Sequence, residues 1–232
     1  MFNSLKFKVV LFGFIFTFFS SFGQSFFLGL FNSSIRETLF ITHGQFGSIY
    51  ASATLLSSFI LVWAGKKIDD FDILKFASFV IALLAISCFL FSKISSVIFL
   101  FFSIFLMRLS GQGLMSHTAT TTISRFFEKT RGRALSITWL GLSLAEFILP
   151  LLIIFLLTFI DWRNLWLFIS ILVIVILPIF TFLLVRNVKL DSRETSNNSN
   201  IKTKDIKQWK RIDVLKDYRF YIICLNMLAM PW

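Results

Sequence analysis

Residues 96–133 read SVIFLFFSIFLMRLSGQGLMSHTATTTISRFFEKTRGR. The stretch to Ser124 is long and apolar, with a single ionisable cation, Arg108, near its middle. It closes on the basic cluster Arg125, Lys129, Arg131 and Arg133. About 20 helical residues cross a hydrocarbon core of about 30 Å, so this run is long enough to span a bilayer. A central Arg costs roughly 2.5–3.5 kcal/mol on insertion scales and must find a partner or a wet cavity. The pattern predicts a membrane helix built around one functional cation.

Working outward, five further apolar runs appear at roughly 7–31, 44–64, 73–92, 134–159 and 164–185. A seventh begins near Tyr218 and stops at Trp232. The chain of 232 residues is 56% hydrophobic and 15% charged, with 32 phenylalanines. Water cannot solvate the outside of a domain with that composition, whereas lipid can. The expected fold is an all-α polytopic membrane protein. Residues 1–185 form a six-helix bundle, 186–217 a cytoplasmic linker and 218–232 the start of a seventh transmembrane helix. That last run is short for a span, so the sequence reads as a truncated front half, the alternative being a short interfacial tail.

The first run imitates a signal peptide, with Lys6 and Lys8 in front and a small-residue site at Ser21-Phe22-Gly23. Its apolar stretch continues through Phe26, Phe27, Leu28 and Leu30, which favours an uncleaved span. The net charge of +11 lies in the connections between runs rather than on one face, which argues against nucleic acid. Lys6 and Lys8, the 2–3 loop (Lys66, Lys67, Lys75), the 4–5 loop (Arg125, Lys129, Arg131, Arg133) and ten cations from Arg186 to Arg219 fall on one side. Arg36, Lys93 and Arg163 fall on the other. The positive-inside rule therefore puts the N-terminus and the 186–217 linker in the cytoplasm. Within that linker, Asp191 to Lys207 reads as mobile and Trp209 to Lys216 as a basic surface helix. Cys88 and Cys224 lie inside apolar runs and read as small packing residues.

Polar groups inside spans are the candidate functional residues. Gln112 follows Arg108 by one turn, Ser116 lies below it, and His117, Thr120, Thr121 and Ser124 extend a polar stripe. Gln24 in run one and Glu146 in run five are similarly placed. One reading puts Arg108, Gln112, Gln24 and Ser116 on a substrate path, with Glu146 as ion-pair partner or proton carrier. The other makes Arg108 and Glu146 a structural pair joining two helices. His117 reads as a packed or hydrogen-bonded residue before a proton relay. Gly111, Gly113, and Gly141 with Ala145 mark close helix approach, and Pro150 frees a backbone carbonyl in run five. No Walker loop, metal-ligand spacing or serine-hydrolase geometry is present, so the chain reads as no enzyme and no cofactor is expected.

Five motifs in order carry a resemblance. The 2–3 loop is Gly65-Lys66-Lys67-Ile68-Asp69, and helix four has Arg108-Leu109-Ser110-Gly111-Gln112-Gly113. The 4–5 loop has Arg125-Phe126-Phe127 followed by Arg131-Gly132-Arg133-Ala134. Run six starts Asp161-Trp162-Arg163-Asn164-Leu165-Trp166, and Leu215 to Phe220 leads into the seventh helix. Together these resemble the major facilitator superfamily over essentially the whole chain, with a monocarboxylate or organic-anion type as a further suggestion. The resemblance implies two six-helix halves, each of two inverted three-helix repeats, with substrate bound between them. It implies a cytoplasmic gate at Gly65, Asp69, Arg131 and Arg133. Three motifs depart from the family pattern: the glycines after Arg108 are shifted by one, Asp70 stands where a basic residue is usual and the later G-R-R is missing, and the fifth-helix G-x-x-x-G-P reads Gly141-Leu142-Ser143-Leu144-Ala145-Glu146.

The expected function is secondary active transport of a small solute, with an organic anion as the suggested class, by alternating access across the plasma membrane. Its partners would be the lipid bilayer, the solute and a missing C-terminal half. The alternative is a non-transporting six-helix sensor or assembly partner.

Overall fold

The computed structural model describes residues 4–69, 71–186, Val188 and 211–228. Six helical segments in it are long and apolar enough to cross a membrane: Ser4–Gly29, His43–Ile68, Ile73–Ser92, Val97–Phe126, Arg131–Leu157 and Trp162–Val185. Their ends lie within a few residues of the predicted runs, the second span reaching furthest past its predicted end, to Ile68.

Two spans are not single α-helices. The first consists of α1 (Ser4–Ser20), a 3-10 turn at Ser21–Gly23, and the short α2 (Ser25–Gly29), with Gln24 extended between them. The fourth consists of α6 (Val97–Met107), a π-helix over Arg108–Met115, and α7 (Ser116–Phe126). The others are α4 (His43–Ala64) with a 3-10 extension Gly65–Asp69, α5 (Ile73–Ser92), α8 (Arg131–Leu157) and α9 (Trp162–Val185). A surface helix, α3 (Asn32–Leu39), joins the first two spans. It ends at Phe40, whose backbone is left-handed at φ 53°, and α4 then starts with a Thr42–Gln45 capping box. Pro150 and Pro178 sit inside α8 and α9, which continue through them.

Small residues and hydroxyls set the helix pairs. A Cβ on Gly13 would fall 2.9 Å from the Thr138 hydroxyl, and one on Gly141 would run into the Phe14 carbonyl and the Thr17 side chain. Thr17 Oγ1 donates to the Thr138 carbonyl across the same α1–α8 contact. Gly141 and the fully buried Ala145 thus make the close approach that the sequence predicts. On the other side of the bundle, Ser170 Oγ donates to the Ala85 carbonyl at 2.8 Å and ties α9 to α5. Trp166 packs there against Phe27, Phe31 and Phe91, with ring centroids 5.4, 5.1 and 4.6 Å away. Such aromatic pairs contribute about 0.5–1.5 kcal/mol each beyond burial.

The outer faces of α8 and α9 carry exposed Phe147, Leu151, Phe155, Ile171 and Phe182, as lipid-facing helices must. The second span is covered least: among its α4 residues only Phe46, Ala53 and Ser57 are buried.

Residues 195–232 form a separate unit. Within it, α10 (Arg211–Lys216) lies inside the predicted basic surface helix, and α11 (Tyr218–Leu228) starts where the seventh run was expected. The Asp217 side chain accepts from the Arg219 amide at 3.0 Å, capping α11. Tyr221 donates to the Leu215 carbonyl at 2.9 Å. The predicted mobile stretch from Asp191 to Lys207, and Trp209, lie outside the described residues.

Candidate functional site

The two interrupted spans meet at their interruptions. A Cβ on Gly23 would lie 2.6 Å from the Gln112 nitrogen and 2.8 Å from the Gly111 Cα, so only glycine permits this backbone contact. Gly111 faces the same constraint from the Gly23 side. The 3-10 turn at Ser21–Gly23 bends the first span and brings its backbone against the fourth. In the fourth, two glycines in the sequence Ser110-Gly111-Gln112-Gly113 lower the helix propensity. Ser110 Oγ takes up the Leu106 carbonyl at 2.7 Å. Bonding from i to i+5 widens the turn there, a local geometry that recurs at functional sites.

This contact positions Arg108. Its Nη1 donates to the Gly23 carbonyl at 3.1 Å and to Ser25 Oγ at 3.2 Å. Ser25 Oγ also accepts from the Tyr50 hydroxyl at 3.0 Å, and the guanidinium lies over the Tyr50 ring, 5.3 Å from its centroid. Arg108 is 7% exposed. Its Nε is buried with no hydrogen-bond partner. A cation anchored through one nitrogen keeps donor capacity for something else.

Beside it opens a cleft of about 220 Å³ lined by Ser57, Ser58, Leu61, Arg108, Gln112 and Gly113. Arg108 and Gln112, predicted to share a face, do line one cleft. Gly113 joins them because the wide turn places two successive residues below Arg108. Gln24 is only partly buried and does not line the cleft, although its neighbours Gly23 and Ser25 hold Arg108. Ser116 does not line it either; its Oγ is buried and unpartnered. Glu146 is exposed on α8, and the structure does not bring it to Arg108. Arg108 takes a carbonyl, a hydroxyl and an aromatic ring as its partners, and among the described residues it forms no ion pair with Glu146. Glu146 has its own local feature: Pro150, four residues on, withholds the amide that would bond the Glu146 carbonyl.

At the basic end of the bundle, His117 Nε2 meets the Gly65 carbonyl at 2.9 Å, and its ring packs within 3.2 Å of where a Gly65 Cβ would be. The 2–3 loop motif is thus joined to helix four through His117. Arg131 and Arg133 are exposed, and Arg131 borders a shallow recess with Thr120, Thr121, Ser124 and Arg125. The Asp69 side chain and Asp70 lie outside the described residues, so the pairing expected of Asp69 is not visible.

Sequence reasoning missed Gly23, Ser25, Tyr50, Ser57 and Ser58. A signal existed in Ser20-Ser21-Phe22-Gly23-Gln24-Ser25, a small and polar patch inside an apolar run, which also resembles a signal-peptide cleavage site. The π-helix had its hint in the one-residue shift of the glycines after Arg108.

The family model for the Major Facilitator Superfamily matches residues 13–231. The chain belongs to this superfamily. No curated protein and no solved structure matches the chain. This transporter family is consistent with the six apolar helices, and the chain is a multi-pass membrane protein. The match is to the superfamily as a whole.

Proposed function

We propose that this chain supplies one half of a secondary transporter that moves a small organic anion by alternating access. The observation that carries the reading is Arg108: a buried guanidinium, held through Nη1 with its Nε unpartnered, lining a cleft between the second and fourth spans. Guanidinium pairs well with carboxylate, and the Gln112 amide beside it can donate to a second oxygen. Ser57 and Ser58 line the facing helix, where their hydroxyls donate to the Thr54 carbonyl. This cleft of about 220 Å³ would form one wall of a site for a small solute such as a monocarboxylate, the facing half supplying the other.

In this reading Gln24 and Ser116 flank the path, and Glu146, next to a proline-freed carbonyl, carries the coupling proton. Exposed Ser48, Ser52 and Ser58 on α4 support a second six-helix half facing this one across the solute. Gly65, Asp69, Arg131 and Arg133 form the cytoplasmic gate, with the N-terminus and the 186–217 segment cytoplasmic at the plasma membrane. The test is uptake of a carboxylate panel by the full-length protein in vesicles. Carboxylate uptake that Arg108→Ala abolishes supports the anion site. Uptake by Arg108→Ala equal to wild type removes it.

A further inference from the structure

The side of the bundle opposite the basic loops keeps only three Lys or Arg residues, Arg36, Lys93 and Arg163. Two of them converge on one notch. Lys93, Ser95, Asp161, Arg163 and Asn164 line a cavity of about 370 Å³ where the end of α5 meets the start of α9. Arg163 is fixed: its Nη2 donates to the Ile94 carbonyl at 2.8 Å and its guanidinium stacks 4.2 Å from the Trp162 ring centroid. Lys93 is exposed, with its Nζ 6.0 Å from the Phe89 ring. Among the described residues neither cation forms an ion pair. Asp161, the one carboxylate in the notch, accepts the Arg163 amide at 2.9 Å as the cap of α9. The notch therefore carries one net positive charge on a side where topology disfavours cations.

We propose that this notch binds the phosphodiester headgroup of an anionic phospholipid. One net positive charge matches one phosphodiester anion, Lys93 supplying a mobile ammonium and Arg163 a fixed guanidinium. Ser95 and Asn164 add neutral donors. The same phosphate chemistry could come from a soluble ester. The apolar surface below the notch commits the site to lipid: Phe89 lies next to Lys93, and Phe168, one turn along α9 from Asn164, is exposed, as is Ile171. Acyl chains lie along such a strip; a soluble ester has no use for it. The site stands independently of the transport reading, since it shares no residue with the Arg108 cleft.

The test is native mass spectrometry of the full chain in detergent, titrated with phosphatidylglycerol and with phosphatidylcholine. Phosphatidylglycerol is expected to bind at least fivefold more tightly. Lys93→Gln is expected to weaken phosphatidylglycerol about fivefold, the contribution typical of one Lys near an anionic lipid surface. Arg36→Gln, the third cation of that side, should change it by less than about twofold. Arg163→Gln should exceed Lys93→Gln; if it fails to fold, Lys93→Gln alone decides, because that exposed side chain makes no hydrogen bond in the fold. Equal binding of the two lipids, or equal loss in Arg36→Gln and Lys93→Gln, overturns the proposal. Glycerophosphoglycerol, the soluble deacylated diester, displacing the lipid from wild type only at concentrations about a hundredfold or more above the lipid's own supports it. Saturable binding of glycerophosphoglycerol alone at the same strength as the lipid overturns the lipid assignment.

Discussion

Two arginines of this chain are held by the same device. Arg108 donates to the Gly23 carbonyl and lies over Tyr50; Arg163 donates to the Ile94 carbonyl and lies over Trp162. Each satisfies one nitrogen on a backbone carbonyl released where a helix is interrupted or ends, and stacks its face on an aromatic ring. The difference is depth. Arg163 sits half-buried at a helix end, where water reaches its remaining donors. Arg108 is 7% exposed in the middle of a span, with Nε buried and unpartnered. A buried unpaired donor costs about 1–3 kcal/mol, and more for a charged group. The fold keeps that cost at Arg108 and avoids it at Arg163, and such retained costs concentrate where a ligand completes the site.

The largest predicted effect is therefore on transport. Arg108→Ala in the full-length protein should lower carboxylate uptake by about thirtyfold or more, as expected for removing one partner of a desolvated charge interaction. Arg108→Lys should recover little of it, because an ammonium cannot hold Gly23 and Ser25 and still present a fork to the cleft. Arg163→Lys should leave uptake within about twofold, since its site does not border the cleft and a Lys near the surface costs little. Equal losses at the two positions, measured by initial uptake rates in vesicles, would dissolve the distinction between them.

The next effect is on stability. Gly23→Val should destabilise the bundle by about 1–3 kcal/mol, because its Cβ meets backbone of the π-helix that cannot move aside. Gly113→Ala should cost less, since its Cβ would meet the Leu61 side chain at 3.0 Å, and a side chain can turn away. Thermal unfolding in detergent, followed by circular dichroism, orders the two. Similar midpoints for both variants would show that the backbone contact does not support the Arg108 site.

The spans themselves were legible because length and hydropathy answer to one physical demand, a bilayer about 30 Å thick. Arg108 and Gln112 were legible because an ionisable or amide group is conspicuous in an apolar run. Gly65 could be marked as a contact, although its partner is His117 through a backbone carbonyl, which no residue pattern encodes. What could not be read were the atoms that hold Arg108. A main-chain carbonyl at Gly23 has no signature of its own, and the break that exposes it depends on a tertiary contact with Gly111. The expectation that Arg108 would find Glu146 followed from charge alone. In the fold, Tyr50 and Ser25 are closer, and an exposed Glu146 on α8 is not near enough to compete. Hydroxyls such as Ser57 and Ser58 went unremarked because serine is also an ordinary packing residue in membrane helices.

The smallest effect separates the two halves of the Arg108 anchor. Tyr50→Phe keeps the ring under the guanidinium and removes only the hydroxyl that donates to Ser25 Oγ. Hydrogen bonds between membrane helices average about 0.6 kcal/mol, so the unfolding midpoint should fall slightly. Ser25 Oγ would still accept from Arg108, and uptake should stay within about threefold of wild type. Tyr50→Leu removes the ring as well, and desolvated cation–π contacts contribute up to about 2 kcal/mol. If the ring is what makes a buried cation tolerable, Tyr50→Leu should lose several times more stability than Tyr50→Phe in the same unfolding assay. If the two variants match, the Gly23 carbonyl and the Ser25 hydroxyl hold Arg108 without the ring, and its resemblance to Arg163 over Trp162 would be one of posture without energy.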